Sequence, residues 1–231
     1  MARQIPPDRL PELLDAAIRV FIAQGYRRTQ VADVAQALGV AKGTIYLYVE
    51  SKEALFDLAC RYADAPPDPE HAPSFPIRTP RPGATLRYVR EELRSRQALS
   101  ELDEAITRRR VTDARAELRA ILGELYERLS GNRRRIKLLD SSARDYPELA
   151  ALWFEGARGG FLTLFARYLE LRAAKGHLAP VPDVPAAARF ALETVVFWAV
   201  HRHFDPRAER VTEELARESA ILFVVRALAK E

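Results

Sequence analysis

Between Thr29 and Leu55 the chain reads TQVADVAQALGVAKGTIYLYVESKEAL, and within it Lys42, Gly43, Thr44, Tyr46, Tyr48 and Lys52 bring cationic, hydroxyl and phenolic donors together. An ammonium neutralises a phosphate, a hydroxyl donates to a phosphate oxygen or a base edge, and an aromatic ring adds apolar contact in a groove. The span suits the major groove of a duplex. Catalytic chemistry has no comparable signature. The sequence contains no phosphate-binding glycine loop, no HExxH pair, no CxxC ligand set and no serine elbow, so no catalytic residue, metal ligand or cofactor is assigned. His201 and His203 stand two apart, a spacing that points them in different directions on a helix.

These donors need a scaffold, and the apolar spacing supplies one. Thr29 suits the N-cap of a helix running to about Leu38, with Asp33 in its early turns and Val31, Val34, Ala35 and Leu38 on one face. Gly39 ends that helix, and Val40 leads into a second helix of roughly two turns in which Ile45 faces the core. The opposite face carries Lys42, Gly43, Thr44, Tyr46, Leu47 and Tyr48, as the reading helix of a helix-turn-helix would. An amphipathic helix from about Asp8 to Gln24 precedes the pair, with Leu10, Leu13, Leu14, Ala17, Ile18 and Phe21 inward. Ser51 suits the N-cap of a fourth helix, with Ala54, Leu55, Leu58 and Ala59 inward, which puts Lys52 at a helix N-terminus that attracts phosphate.

The run LGVAKGTIYLYVESKEAL closely resembles the DNA-binding domain of the tetracycline-repressor (TetR) family of bacterial transcription regulators, and the resemblance covers about residues 8 to 63. It implies an all-α homodimer with an N-terminal three-helix helix-turn-helix domain, a linking fourth helix and a helical C-terminal domain for ligand binding and dimerisation. Carried over by position, it makes Thr29 and Tyr48 phosphate contacts, places Lys42, Gly43, Thr44 and Tyr46 on the recognition helix, and makes Lys52 the fourth-helix phosphate contact. Two positions depart from the family pattern. Ala41 stands where serine or threonine is frequent, forfeiting a side-chain cap worth about 0.5 to 2 kcal/mol, and Val49 stands where phenylalanine is common.

Charge alone does not define this function. The formal net charge is +4 over 231 residues, yet basic and acidic side chains nearly cancel within the first 64 positions. Affinity for DNA must therefore come from well-placed Lys42, Lys52, Arg27 and Arg28 doubled by two-fold symmetry. The arginine runs at 108 to 110 and 133 to 135 read as solvated helix ends. Cys60 is the single cysteine, which excludes an internal disulfide and fits burial in a reducing compartment. No secretion signal precedes the first helix, and the apolar run Val195 to Val200 is far too short to span a bilayer, so a cytoplasmic protein with no membrane partner is expected.

Three regions follow: residues 1–64 for DNA binding, a Pro-rich connector at 65–83 and a helical regulatory and dimerisation domain at 84–231. His71 in the connector reads as solvated. Beyond it, helical segments are expected near 84–107, 112–145 with a split at Gly131 and Asn132, 147–175, 184–204 and 207–230. Phe190, Val195, Phe197 and Trp198 on one of the last two helices, and Leu215, Leu222, Phe223 and Val225 on the other, suit a two-fold interface as well as an internal core. Tyr88, Tyr126, Trp153, Phe154, Phe161, Phe165 and Trp198 with Arg158 form a candidate pocket for an apolar or aromatic effector, though ordinary core packing is the favoured reading of each aromatic. Arg158 would pair either an anionic ligand or a nearby glutamate. The resulting expectation is a ligand-released repressor that binds a near-palindromic double-stranded DNA operator as a homodimer. The alternative is a helical protein-interaction adaptor that uses the helix-turn-helix only as scaffold.

Overall fold

The structure, a computed structural model, describes residues 9–65, 67, 74–96, 98–207 and 211–230. Its helices in chain order are α1 (Leu10–Gln24), α2 (Val31–Leu38), α3 (Lys42–Ile45), α4 (Lys52–Tyr62), α5 (Ala84–Ser95), α6 (Ser100–Thr107), α7 (Ala114–Ser130), α8 (Arg133–Ala143), α9 (Pro147–Ala150), α10 (Gly159–Ala174), α11 (Val184–Ala199) and α12 (Glu213–Leu228). A π-helical stretch, Ala151–Arg158, joins α9 to α10, and a 3₁₀ turn, His201–Phe204, follows α11. Among the described residues no β-strand forms, and the fold class is all-α. The expected helices at 84–107 and 147–175 are each interrupted. The split at Gly131 and Asn132 falls where those residues suggest.

The chain forms two compact units: residues up to Leu93 together with Arg134–Phe154, and Arg94–Arg133 together with residues from Glu155 onward. This grouping cuts across the linear division at residues 64 and 83. Leu138, Leu139 and Ala143 of α8, Leu149 of α9 and Val89 of α5 join the same buried core as Leu13, Ile18 and Phe21 of α1 and Leu55 and Ala59 of α4. Each fully buried Leu, Ile or Phe of that kind contributes about 1.5 to 3 kcal/mol, so the N-terminal helices draw part of their stability from residues more than a hundred positions away. Gly25 makes the approach possible: its φ is 79°, and an added Cβ would lie 3.0 Å from the Ser141 carbonyl oxygen. No sequence periodicity reports such a contact.

In the second unit α7 packs against α6, α11 and α12, while α10 packs against α6 and α11. Its interior holds an ion pair. Arg172 Nε donates to Glu117 Oε1 at 2.7 Å and Nη2 donates to Oε2 at 3.1 Å, with both residues buried and Arg108 adding a bond to Oε2 at 3.2 Å. Thus α6, α7 and α10 are held in register by a bidentate pair whose parts desolvate together. The arginine runs are engaged, contrary to a solvated role: Arg108 pairs with Glu104 and Glu117 and Arg133 with Glu213 in the second unit, while in the first Arg134 pairs with Asp15 and Arg135 with Glu92. Replacing Arg172 by Met leaves Glu117 buried with only the outer Arg108, so chemical denaturation should show a loss of about 3 to 5 kcal/mol. The double variant Arg172→Met/Glu117→Leu should recover most of it, and a single-variant loss below about 1 kcal/mol would contradict a buried pair.

Candidate nucleic-acid interface

The reading element is shorter than its sequence pattern suggests. Helix α3 is four residues long, not two turns, and continues as a turn in which Leu47 N–H donates to Thr44 O at 3.2 Å and Tyr48 N–H to Ile45 O at 2.9 Å. One helical turn does not hold itself in water, so tertiary packing must fix it. Ile45 and Val49 are fully buried and Tyr48 is 3% exposed, which leaves the segment resting on three apolar anchors. Gly39 sets its entry, because a φ of 71° lets α2 stop at Leu38 and the chain reverse within three residues.

On the outer side Lys42 and Gly43 are exposed, Thr44 is half-buried, and Tyr46 and Leu47 are exposed. No atom lies within 4 Å of the Cβ that Gly43 lacks, so this side of α3 is open for close approach. The Lys42 ammonium lies 6.0 Å from the Tyr46 ring centroid, which joins cation and aromatic into one patch. Arg27 and Arg28, in the loop between α1 and α2, are also exposed.

Three residues expected at the phosphate backbone have different surroundings. Thr29 is fully buried and its hydroxyl donates to the Gly25 carbonyl at 2.7 Å; the N-cap of α2 is Gln30, whose N–H donates to the Asp33 carboxylate at 2.8 Å. Tyr48 lies beneath Phe75 of the connector, ring centroids 5.3 Å apart and edge to face. A phosphate cannot reach either side chain in this conformation, since neither presents appreciable surface. Lys52 is half-buried: its ammonium donates to the Tyr26 and Arg27 carbonyls at 3.1 and 3.3 Å and lies 4.6 Å from the Tyr26 ring. Ser51 caps α4 as its sequence implies, accepting from Ala54 N–H at 3.2 Å.

Tyr26 has no motif signature and yet joins these parts. Its ring packs on Phe56 at 4.6 Å and Tyr146 at 5.2 Å, and its hydroxyl donates to Glu53 at 3.2 Å. Burial and the neighbouring Glu53 carboxylate push its phenol well above the usual tyrosine range. It therefore serves as a neutral donor, and Lys52 supplies the positive charge above it. Cys60 is buried, and that burial pushes its thiol up, which suits a packing role.

The eight aromatic and arginine positions considered for an effector pocket fall in both units. Tyr88, Trp153 and Phe154 pack against the core of the first, where Trp153 Nε1 donates to Asp140 at 3.4 Å. Tyr126, Arg158, Phe161, Phe165 and Trp198 belong to the second. There Phe161 stacks on Phe165 at 5.5 Å, Phe165 and Tyr126 are buried, and Arg158 pairs with Glu193, as its glutamate alternative requires. Tyr126 donates to Glu213 at 2.8 Å, and Glu213 also pairs with Arg133, with Arg202 at 2.6 Å and with His203 at 3.3 Å. Burial of Tyr126 and its bond to Glu213 push its phenol up to about 12. Burial and the two arginines hold His203 below the usual histidine value.

A short outward-facing helix, entered by a glycine turn and braced by flanking helices, defines a helix-turn-helix protein. Residues 13–59 match the model of the family described as bacterial regulatory proteins, tetR family. The likeness to that family is carried by this segment of the chain. It is similar to the fatty acid metabolism regulator protein of Bacillus subtilis (strain 168), 48% identical over 42 residues, which are 18% of this chain and 22% of the relative. It is also similar to the HTH-type transcriptional repressor KstR2 of Rhodococcus jostii (strain RHA1), 43% identical over 49 residues, 21% of this chain and 24% of the relative. The matched segments thus span less than a quarter of those relatives. The ketosteroid transcriptional regulator KstR2 of Mycobacterium tuberculosis has the same fold over 99% of this chain and 98% of its own, with a TM-score of 0.58 and 18% identity. Among the described residues no helix is long and apolar enough to cross a membrane.

The Glu213 cluster sets a pH dependence. Burial raises its pKa, but the Tyr126 hydroxyl, Arg133, Arg202 and His203 together outweigh that effect and hold the carboxylate below its ordinary 4.5. A depressed folded pKa adds stability that is present above the unfolded value and lost as pH falls through the folded one. Glu213→Gln should therefore lower the urea midpoint near neutral pH, and its gap to the native chain should close as pH drops below 4.5. A gap of equal size under both conditions would contradict the assignment.

Proposed function

We propose that the protein is a DNA-binding transcriptional regulator that occupies a near-palindromic operator as a homodimer and is released by a small apolar or aromatic effector. The observation that carries the DNA reading is the set of exposed Lys42, Gly43 and Tyr46 with half-buried Thr44, on the short helix α3 and its C-cap, anchored by buried Ile45, Tyr48 and Val49. Lys42 and Tyr46 reach base edges and phosphate, Gly43 admits the backbone to the groove, and Thr44 donates. Arg27 and Arg28 add backbone contacts. Lys52 braces the loop between α1 and α2, and one remaining ammonium proton leaves it able to donate to a phosphate as well.

A monomer reads one half-site, and the second unit offers a surface for pairing. Phe190 and Phe197 on α11 are 75% and 42% exposed, and Leu215 and Phe223 on α12 are 54% and 68% exposed. A second copy related by two-fold symmetry would cover them, because an isologous interface sets each such patch against its own image. Val195 and Val225, by contrast, are buried within the unit and belong to its core. Repression by the relative named KstR2 supports the same outcome here.

Release requires an effector that binds the DNA-incompetent state more tightly; moving the balance from 1:99 to 99:1 takes about 5.5 kcal/mol of differential affinity. Half-buried Phe161 and Trp198 are the effector contacts proposed in the second unit, while Arg158 is held by Glu193 and Tyr126 and Phe165 belong to the core. Helix α4 begins at the DNA-proximal Lys52, so a small tilt of it would change half-site separation.

Duplex binding should weaken steeply with added salt, and Lys42→Ala and Tyr46→Ala should each change which duplexes are preferred. Unaltered affinity and preference in both variants would refute the interface. Phe190→Asp combined with Phe223→Asp should sediment as a monomer and lose operator affinity, whereas a variant that stays dimeric would exclude this face.

A further inference from the structure

The connector is more than a spacer. Its residues 74–79 lie along the turn that follows the recognition helix. The Ile77 N–H donates to Tyr48 O at 2.8 Å, and Glu50 N–H donates to Ile77 O at 3.0 Å, giving a parallel bridge between Ile77 and Val49. Thr79 N–H then donates to the Glu50 carboxylate at 2.8 Å, and the Thr79 hydroxyl donates to Ser51 Oγ at 2.9 Å. Phe75 covers Tyr48 at the other end. Arg78 is thus flanked by two residues whose backbones are both hydrogen-bonded to residues 48–51, the segment that directly follows the exposed Tyr46 and Leu47.

Side chains alternate along an extended segment, so with Ile77 half-buried on the Val49 side, Arg78 stands on the opposite side and is exposed. Its position matters because the charges beside it offset one another. Glu50 and Glu53 flank Lys52, and two of the Lys52 donors are already spent on carbonyl oxygens. A guanidinium on a pre-ordered backbone contacts an anion at lower entropic cost than one on a free loop.

We infer that Arg78 is a DNA-phosphate contact supplied by the connector, so that each half-site is held by the helix-turn-helix and by this strap beside it. The inference rests on the DNA-binding function proposed above. A phosphate contact changes affinity for all duplexes alike and leaves base preference untouched, which separates it from Lys42 and Tyr46. In a homodimer it occurs twice. Removing two phosphate contacts should make the slope of log affinity against log salt shallower by about 1.8, and the affinity lost between 50 and 200 mM salt about twelvefold smaller.

The test uses the full-length chain with a duplex recovered from random DNA and with a scrambled duplex of equal length. Arg78→Ala should show the shallower slope on both duplexes with unchanged ratio between them, and Arg78→Lys should restore the native slope. Phe75→Ala, which frees the strap while keeping the charge, should behave as Arg78→Ala does. A native slope in Arg78→Ala, or a changed ratio between the two duplexes, would overturn the phosphate assignment, and a native slope in Phe75→Ala would overturn the positioning by the strap. Failure of the native chain to bind either duplex at low salt would instead remove the DNA-binding reading on which this inference depends.

Discussion

The burial of Ile45, Tyr48 and Val49 is the constraint on which the proposed reading surface depends. A four-residue helix has too few internal hydrogen bonds to hold a direction, so the side of the chain that faces outward is decided by what the other side buries. With those three side chains inside, Lys42, Gly43 and Tyr46 are outside without any further adjustment. Gly39 and the α1–α4 packing determine where the seat lies, and the connector closes it by laying Phe75 over Tyr48.

Around that seat polar side chains hold one segment of the chain to another. Lys52 ties the α1–α2 loop to the start of α4, Tyr26 ties that loop to Glu53, and Glu50 ties the turn to the connector. Such bonds position groups and limit motion; they carry no sequence information. The division of labour is physically sensible, because a reading face positioned to within a fraction of an ångström gains more from rigid supports than from additional contacts.

Helix positions with long apolar repeats were legible from residue types: α1 buries Leu10, Leu13, Leu14, Ala17, Ile18 and Phe21 at the spacing that its sequence displays, and Ser51 caps α4 as expected. The resemblance was legible too, carried by the turn glycine, the GTIY run and the SKE start, and residues 13–59 match the model of the same family. What sequence could not show is chiefly long-range. The break between α5 and α6 is one case: Glu124 on α7 accepts from the Ser100 and Glu101 N–H groups at 3.0 and 2.9 Å, capping α6 from outside its own sequence neighbourhood. Thr29 is another, because a hydroxyl that looks like a cap is satisfied backwards by the Gly25 carbonyl. The burial of Tyr48 depends on a connector whose prolines announce irregular backbone but not its docking place.

Selection of bound duplexes from random DNA by the native chain decides whether this surface reads DNA as a symmetric pair. Two-fold-symmetric sequences should be enriched, with half-sites about 34 to 36 Å apart on one face of the duplex or a whole-turn multiple of that. Recovery of unsymmetric sequences, or no enrichment at low ionic strength, would contradict such paired reading.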